Sequence, residues 1–331
     1  MASRSAVKAT WLILPLLLLG AVALRLLAGP DGLGFPAGSE IWRLRLLRVG
    51  SAATVGAALA ASGAMLQALL RNPLAAPSVL GLTTGAGLGV SIAVYVSALS
   101  TGAIALAQTP FVAASVGALG ALALVYALAQ RRGELEPITL ILVGVIVSAI
   151  ASAATMFIQH LMPDAGLALA SRWLLGAISD DIRPMALFFV AMLTMVGVAL
   201  GALLGPHMDA ATLSDDEAQS LGVPLGALRV TLFLTAGLLA AGATAIAGPI
   251  AFVGLVCPHI VRLGAGPAHR PLVPLSAVAG ATVILLADTL VRLIDFGAGR
   301  MPIGVLTALV GGPVFLVLLK RNWTVLQGVD A

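Results

Sequence analysis

Charge is what this sequence lacks most. Asp, Glu, Lys and Arg together make up 10% of its 331 residues, while 60% are hydrophobic; a soluble domain carries about 25% charged residues. None of the four occurs from Asn72 to Gln130, from Pro137 to Pro163 or from Val230 to Val261. An uncharged apolar run longer than about 18 residues reads as a membrane span, so a soluble globular protein is excluded. Cysteine is nearly missing as well. With Cys257 alone, there is no intrachain disulfide and no cysteine-based metal cage. Lysine occurs only as Lys8 and Lys320, neither preceded by glycine, so the Gly-Lys-Ser/Thr phosphate loop of an ATPase is absent. Aromatics are 5% against 37 glycines, a composition that lets helix backbones approach closely. No alternation of apolar and polar residues marks a transmembrane barrel.

What remains reads as an all-α polytopic membrane protein of about ten spans. Arg4 and Lys8 before Trp11–Leu24 resemble a signal peptide, but the apolar run resumes past Arg25, so the segment is read as a retained helix with Arg25 snorkelling at the membrane edge. Gly29–Ser39 reads as a loop. The second helix is expected at Val49–Leu70, ended by Arg71-Asn72-Pro73. The next two share the long uncharged run and divide near Thr101–Pro110. A polar hairpin (Arg131, Arg132, Glu134, Glu136) precedes the fifth, Ile138–His160, and the sixth is Pro184–Leu204. The polar segment from His207 to Arg229 comes next. The seventh span then runs to Ala247, Gly248-Pro249 opens a shorter eighth through Arg262, and the last two are Leu272–Leu293 and Ile303–Leu319. An even count puts both termini on one side. With that side internal, ten Lys and Arg fall at internal ends and eight at external ends, a narrow margin for the positive-inside rule. The net charge of +4 borders apolar segments, which favours lipid headgroups and protein partners over nucleic acid.

Several patterns carry two readings. Gly81, Gly85 and Gly89, like Gly144, Ser148 and Ser152, recur every four residues. Such stripes serve close packing within the subunit, or a pore or dimer face. Gly85-Ala-Gly-Leu-Gly89 looks like a dinucleotide fingerprint but lies in an apolar span without βαβ context. The four histidines lack metal-ligand spacing, and no nucleophile–base–acid set stands out. Asp288 and Arg292 share one helical face at i and i+4 and read as an ion pair. With His160 they also support a rival reading, a proton-coupled secondary transporter. A passive membrane scaffold is disfavoured by the polar 207–226 segment.

From Arg45-Leu-Leu-Arg48 onward the chain resembles a known family. Val55-Gly-Ala-Ala-Leu-Ala-Ala-Ser-Gly-Ala-Met-Leu-Gln-Ala-Leu-Leu-Arg-Asn-Pro-Leu-Ala-Ala-Pro-Ser-Val-Leu-Gly81 is similar to the signature of the permease subunits of ATP-driven importers for iron siderophores, haem and vitamin B12. Trp173-Leu-Leu-Gly176, Glu217-Ala-Gln-Ser-Leu-Gly222, the Gly248–Arg262 block and Pro302-Ile-Gly-Val…Gly311-Gly-Pro313 agree with it, collinearly over about residues 40–320. Two departures stand out: Leu47 replaces the usual proline before Arg48, and Arg300 replaces a common glutamate.

The resemblance implies a type II importer permease fold of ten helices, working as a homodimer in the bacterial inner membrane with both termini cytoplasmic. It implies two ATP-binding cassette subunits, which would bind ATP and Mg, and a periplasmic substrate-binding protein. It casts Arg45 and Arg48 as docking residues for carboxylates of the binding protein, with Arg292 and Arg300 on the same surface. It places a cytoplasmic gate at Asn72 and Leu74, backed by Glu136, Pro137 and Ile138 through Thr139, with Gly144, Ser148 and Ser152 lining the pathway. Asp215–Gly222 is expected to form a short helix docking on the ATPase. Asp215, Asp216 and Glu217 suit a helix N-terminus, Ala218 and Leu221 would supply contact positions, and Gly222-Val223-Pro224 forms a stop. Haem is the preferred cargo, ahead of a ferric siderophore or vitamin B12, because a flat apolar ring suits an apolar pathway; without a His or Tyr cluster the permease is not expected to coordinate iron tightly.

Overall fold

Uncharged runs of 18 or more residues fold as helices because hydrocarbon offers no partner for a bare amide, and the structure follows that rule throughout. The computed structural model describes residues 4–29, 32–36, 38–101, 110–131, 134–179, 182–294 and 301–327. Eight helices among these are long and apolar enough to cross a membrane. They are α1 (Arg4–Leu27), α2 (Ser39–Leu69), α3 (Leu82–Thr101), α4 (Pro110–Leu128), α5 (Pro137–His160), α7 (Pro184–Leu203), α10 (Leu225–Ala247) and α12 (His269–Leu293). The 13-residue α11 (Val253–Ala265) and the apolar part, Ile303–Leu318, of α13 (Ile303–Gln327) complete the ten expected hydrophobic segments. Between them lie α6 (Asp164–Leu174), α8 (Gly205–Ala210) and α9 (Asp215–Ser220).

Helix α2 is the hub, its second half buried against α10, α11 and α12. The approach is backbone to backbone. A methyl group on Gly56 would sit 2.1 Å from the carbonyl oxygen of Gly280, and one on Gly63 would sit 1.7 Å from that of Gly254. The Gly85/Gly89 stripe serves the same end. It faces Gly117 and Ala113 of α4 at 2.7 and 2.3 Å by the same measure, so of its two readings, packing within the subunit is the one the structure takes.

Three differences from the sequence expectation have physical causes. Helix α2 begins ten residues earlier than Val49, because Arg45 and Arg48 fold into the protein instead of marking a loop. Where a loop was expected, Ala28-Gly29 pairs with Gly32-Leu33 in a minimal antiparallel hairpin. Helix α6 was not anticipated; it follows Pro163 with Asp164 in its first turn, a start favoured by proline geometry and the helix dipole. Leu47 in place of proline fits an α2 that runs unbroken from Ser39.

The glycine contacts generate a test. Gly63→Ala should lower the melting temperature in detergent markedly, since overpacking costs about 1–3 kcal/mol or more when backbone must move. Gly20→Ala, with nothing within 4 Å of the added carbon, should leave it unchanged. Equal melting temperatures for the two variants would refute the close-packed hub.

Candidate functional site

The charged residues gather at the two ends of α2. Arg48 and Arg71 are 23 positions apart, about 35 Å along a helix. At the first end, Asp288 of α12 lies fully buried between two guanidiniums. Arg25 of α1 donates Nε–H to its Oδ2, and Arg48 donates from Nε to both oxygens at 3.1 and 3.0 Å and from Nη2 to Oδ1 at 2.8 Å. This corrects the i,i+4 expectation, because Asp288 is claimed across the bundle and not by Arg292, which lies half-buried one turn along. It also corrects the snorkelling of Arg25, whose side chain has no exposed surface. This contact ties α1 to α12.

Arg45 and Arg48 are themselves only 9% exposed. Arg45 donates Nη1–H to the carbonyls of Leu26 and Gly34, and its buried Nε–H meets no partner. The pair is therefore part of a packed cluster and not an open external patch. Removing Asp288 would strand two buried cations, the case in which a buried ion pair is most costly to break, about 3–5 kcal/mol. Arg300 lies outside the described residues.

At the other end, α2 stops at Leu70, and Arg71 takes a left-handed backbone (φ 47°) that favours glycine. Its side chain reaches away from α2. Nε donates to the carbonyl of Ala211 at 2.6 Å and Nη2 to Oδ1 of Asp215 at 2.6 Å, while Arg229 of α10 donates Nη2 to Oδ2 of Asp215 at 2.7 Å. Asn72 follows, its Oδ1 accepting the amide of Leu74 at 2.9 Å, and Leu74 stands exposed. A cleft of about 520 Å³ opens between Arg71, Asn72, Gln67, Asp209, Arg262 and His269. Arg262 donates to Gln67 Oε1 at 3.0 Å, and Asp209 receives the His269 amide at 2.9 Å.

Helix α9 occupies Asp215–Ser220 as expected, and its three acids do three jobs. Asp215 takes the two arginines. Glu217 closes a capping box with Ser214, accepting that residue's amide at 3.0 Å. Asp216 is exposed. The Ser214-x-x-Glu217 spacing is the sequence signal for this cap, and the sequence reading passed over it. Ala218 is fully buried against the subunit body, because its face of α9 turns inward. It is not a docking position, whereas Leu221 is 66% exposed. Gly222 stops the helix at φ 80°.

The second expected gate layer lies at this end too. Glu136 accepts the hydroxyl of Thr139 at 2.6 Å and pairs with Arg131 at 3.5 Å, and these bonds hold its carboxyl below the usual range. Pro137 and Ile138 open α5, with Ile138 exposed. A turn of 3-10 helix, Pro77–Leu80, leads from the Asn72–Leu74 turn into α3 and packs against α5. A methyl on Gly144 would meet the carbonyl of Val79 at 2.3 Å, and Ser148 donates to the Gly144 carbonyl at 2.7 Å. Gly144 is thus covered by that turn and cannot line a pathway; Ser148 and Ser152 are half-buried beside it. The face that α5 leaves open is another, carrying Leu142, Val145, Ile146, Ala149, Ala153 and Met156.

Comparison with known proteins places this architecture in a defined class. The sequence model of the FecCD transport family matches residues 9–321. The chain belongs to that family, the permeases of ATP-binding cassette importers. It is 36% identical to the hemin transport system permease protein HmuU of Yersinia pestis, over 86% of this chain and 84% of that one. It is also 36% identical to the cobalamin import system permease protein BtuC of Halobacterium salinarum, over 88% and 77%. A solved metal-chelate type ABC transporter in an inward-facing conformation superposes with a TM-score of 0.81 at 30% identity, covering 95% of this chain and 99% of that one. Membership in this class displaces the proton-coupled reading of Asp288, Arg292 and His160.

The anchoring of α9 is pH-sensitive by construction. Hydrogen bonds from Arg229, and next from Arg71, hold the Asp215 carboxyl low. Bonds from the Ser214 hydroxyl and amide do the same for Glu217. A carboxylate lowered in the folded state stabilises it above its unfolded pKa, near 4, and loses that contribution as pH falls through the folded value. Amide hydrogen exchange, corrected for intrinsic rate, should show α9 protected at neutral pH and released as the pH falls below the ordinary carboxylate range. Protection that does not change with pH would contradict the assignment.

Proposed function

We propose that this chain is the homodimeric membrane subunit of an importer that carries haem into the cytoplasm, driven by ATP hydrolysis in two cassette subunits that bind ATP and Mg. The single observation that carries the pathway is the open apolar face of α5, from Leu142 to Met156. In this reading two copies face each other across it and bound a wide, weakly interacting conduit, while the apolar faces of the other spans meet lipid. Haem, flat and largely apolar, fits that lining; the hemin-transporting relative supports the same choice.

In this reading the end carrying α9 is cytoplasmic, with both termini, and Asp216 and Leu221 face the ATPase. Asn72 and Leu74 form the gate, with Glu136 to Thr139 behind it. The opposite end faces the binding protein. There Arg25 and Arg48 hold Asp288, and Arg45 is buried beside them; among the described residues Asp288 is the acid of this cluster. Excess positive charge beneath a docking surface attracts carboxylates and chiefly sets encounter rate and register. Arg45 and Arg48 are both buried, so in this reading they act on the binding protein through their positive field and not by direct contact.

The test is uptake into proteoliposomes that contain the permease, its ATPase and its binding protein. Hemin should accumulate with ATP and not without it. Arg45→Gln should slow docking of the binding protein roughly tenfold and flatten its salt dependence. Uptake of cyanocobalamin or a ferric siderophore with no uptake of hemin would overturn the haem assignment, and uptake without ATP would overturn the importer reading.

A further inference from the structure

The bonds of Arg71 tie two elements that the functional reading treats separately. One is the turn that carries Asn72 and Leu74; the other is the segment that leads into α9. Arg71 is the residue immediately before that turn, and its guanidinium holds both Ala211, at the end of α8, and Asp215, the first residue of α9, each at 2.6 Å. Asp215 in turn is fixed to the start of α10 by Arg229 at 2.7 Å. The backbone at Arg71 is left-handed (φ 47°), a conformation an arginine holds only where its surroundings impose it. No other acid of α9 reaches the body of the protein in this way, since Glu217 caps the helix and Asp216 is exposed among the described residues.

We infer that Arg71, Asp215 and Arg229 form a latch that makes α9 and the Asn72–Leu74 turn move as one body. The inference rests on the importer reading and goes further, assigning the transmission to one side chain. A displacement of α9 by the ATPase pulls on Asp215; Arg71 follows, because two of its three nitrogens are engaged on the α8–α9 segment. The left-handed residue at the helix end is the joint about which the turn swings. Arg71 is a positioning residue here: it touches no cargo and acts through the gate. Its ion pair is partly exposed, 34% and 44% for the two side chains. Such pairs add little to stability, so the variants should fold and the latch can break and re-form.

The experiment uses the complete complex of permease, ATPase and binding protein, with hemin and cyanocobalamin as cargo probes. Arg71→Ala should leave co-purification and ATP hydrolysis near wild-type levels while the amount of probe moved per ATP falls about tenfold, and Asp215→Asn should lower that ratio to the same extent. Arg71→Lys, which keeps the charge but cannot hold both partners, should fall in between, and the double variant should be no worse than either single one. Loss of folded protein alone would lower transport and hydrolysis together and leave their ratio unchanged. A second measurement needs no latch variant: spin labels at Leu74, in the turn, and at Gln219, on α9, should keep one separation with and without nucleotide. A change approaching one helical turn, about 5 Å, would overturn the latch, as would an unchanged transport-to-hydrolysis ratio in both single variants. A wild-type complex that moves neither probe with ATP would instead count against the importer reading, while the spin-label distance would still judge the latch.

Discussion

Everything in this subunit is arranged around the absence of side chains along one helix. Where α2 meets α12 at Gly56 and Gly280, and α11 at Gly63 and Gly254, no room exists even for a methyl group. Within a membrane, association cannot draw on the hydrophobic effect, because lipid tails are as apolar as leucine. Van der Waals contact between backbones takes its place. A long helix clamped in this way behaves as a rod, and the positions of its two ends are fixed relative to each other and to α10, α11 and α12.

The chemistry sits at those two ends, and its character differs with burial. Asp288 is sealed between Arg25 and Arg48, where a missing partner leaves an uncompensated charge and the geometry must be kept. Asp215 is half exposed between Arg71 and Arg229, where water competes for every bond and the arrangement is cheap to leave and re-enter. A rigid cluster at one end and a labile one at the other suit a machine that receives cargo on a constant surface and opens on a moving one.

The membrane spans were legible because their signal is length and hydrophobicity, both local properties. Helix α9 was legible from its acidic first turn and Gly222. The partner of Asp288 was not: the i,i+4 neighbour Arg292 is visible in sequence, whereas Arg25 and Arg48 lie 263 and 240 positions away and only the fold brings them near. The start of α2 was hidden for the same reason, since arginines that end up buried look in sequence like a polar loop. Ala218 and Gly144 were assigned to working surfaces because small residues permit both exposure and tight packing, and nothing local separates the two.

The reciprocal cap on α9 has a consequence for partner recognition. Six residues are too few to hold helical shape in water on their own, yet Ser214 and Glu217 close the first turn and Asp215 ties it to the scaffold before any partner arrives. If α9 is the docking element, as proposed, an ATPase meeting it would find a shape already set. Little of the interaction energy is consumed in ordering the chain, because the ordering entropy was surrendered when the permease folded. Association and release can then be quick without being weak, the property a contact needs if it is to transmit force on every cycle.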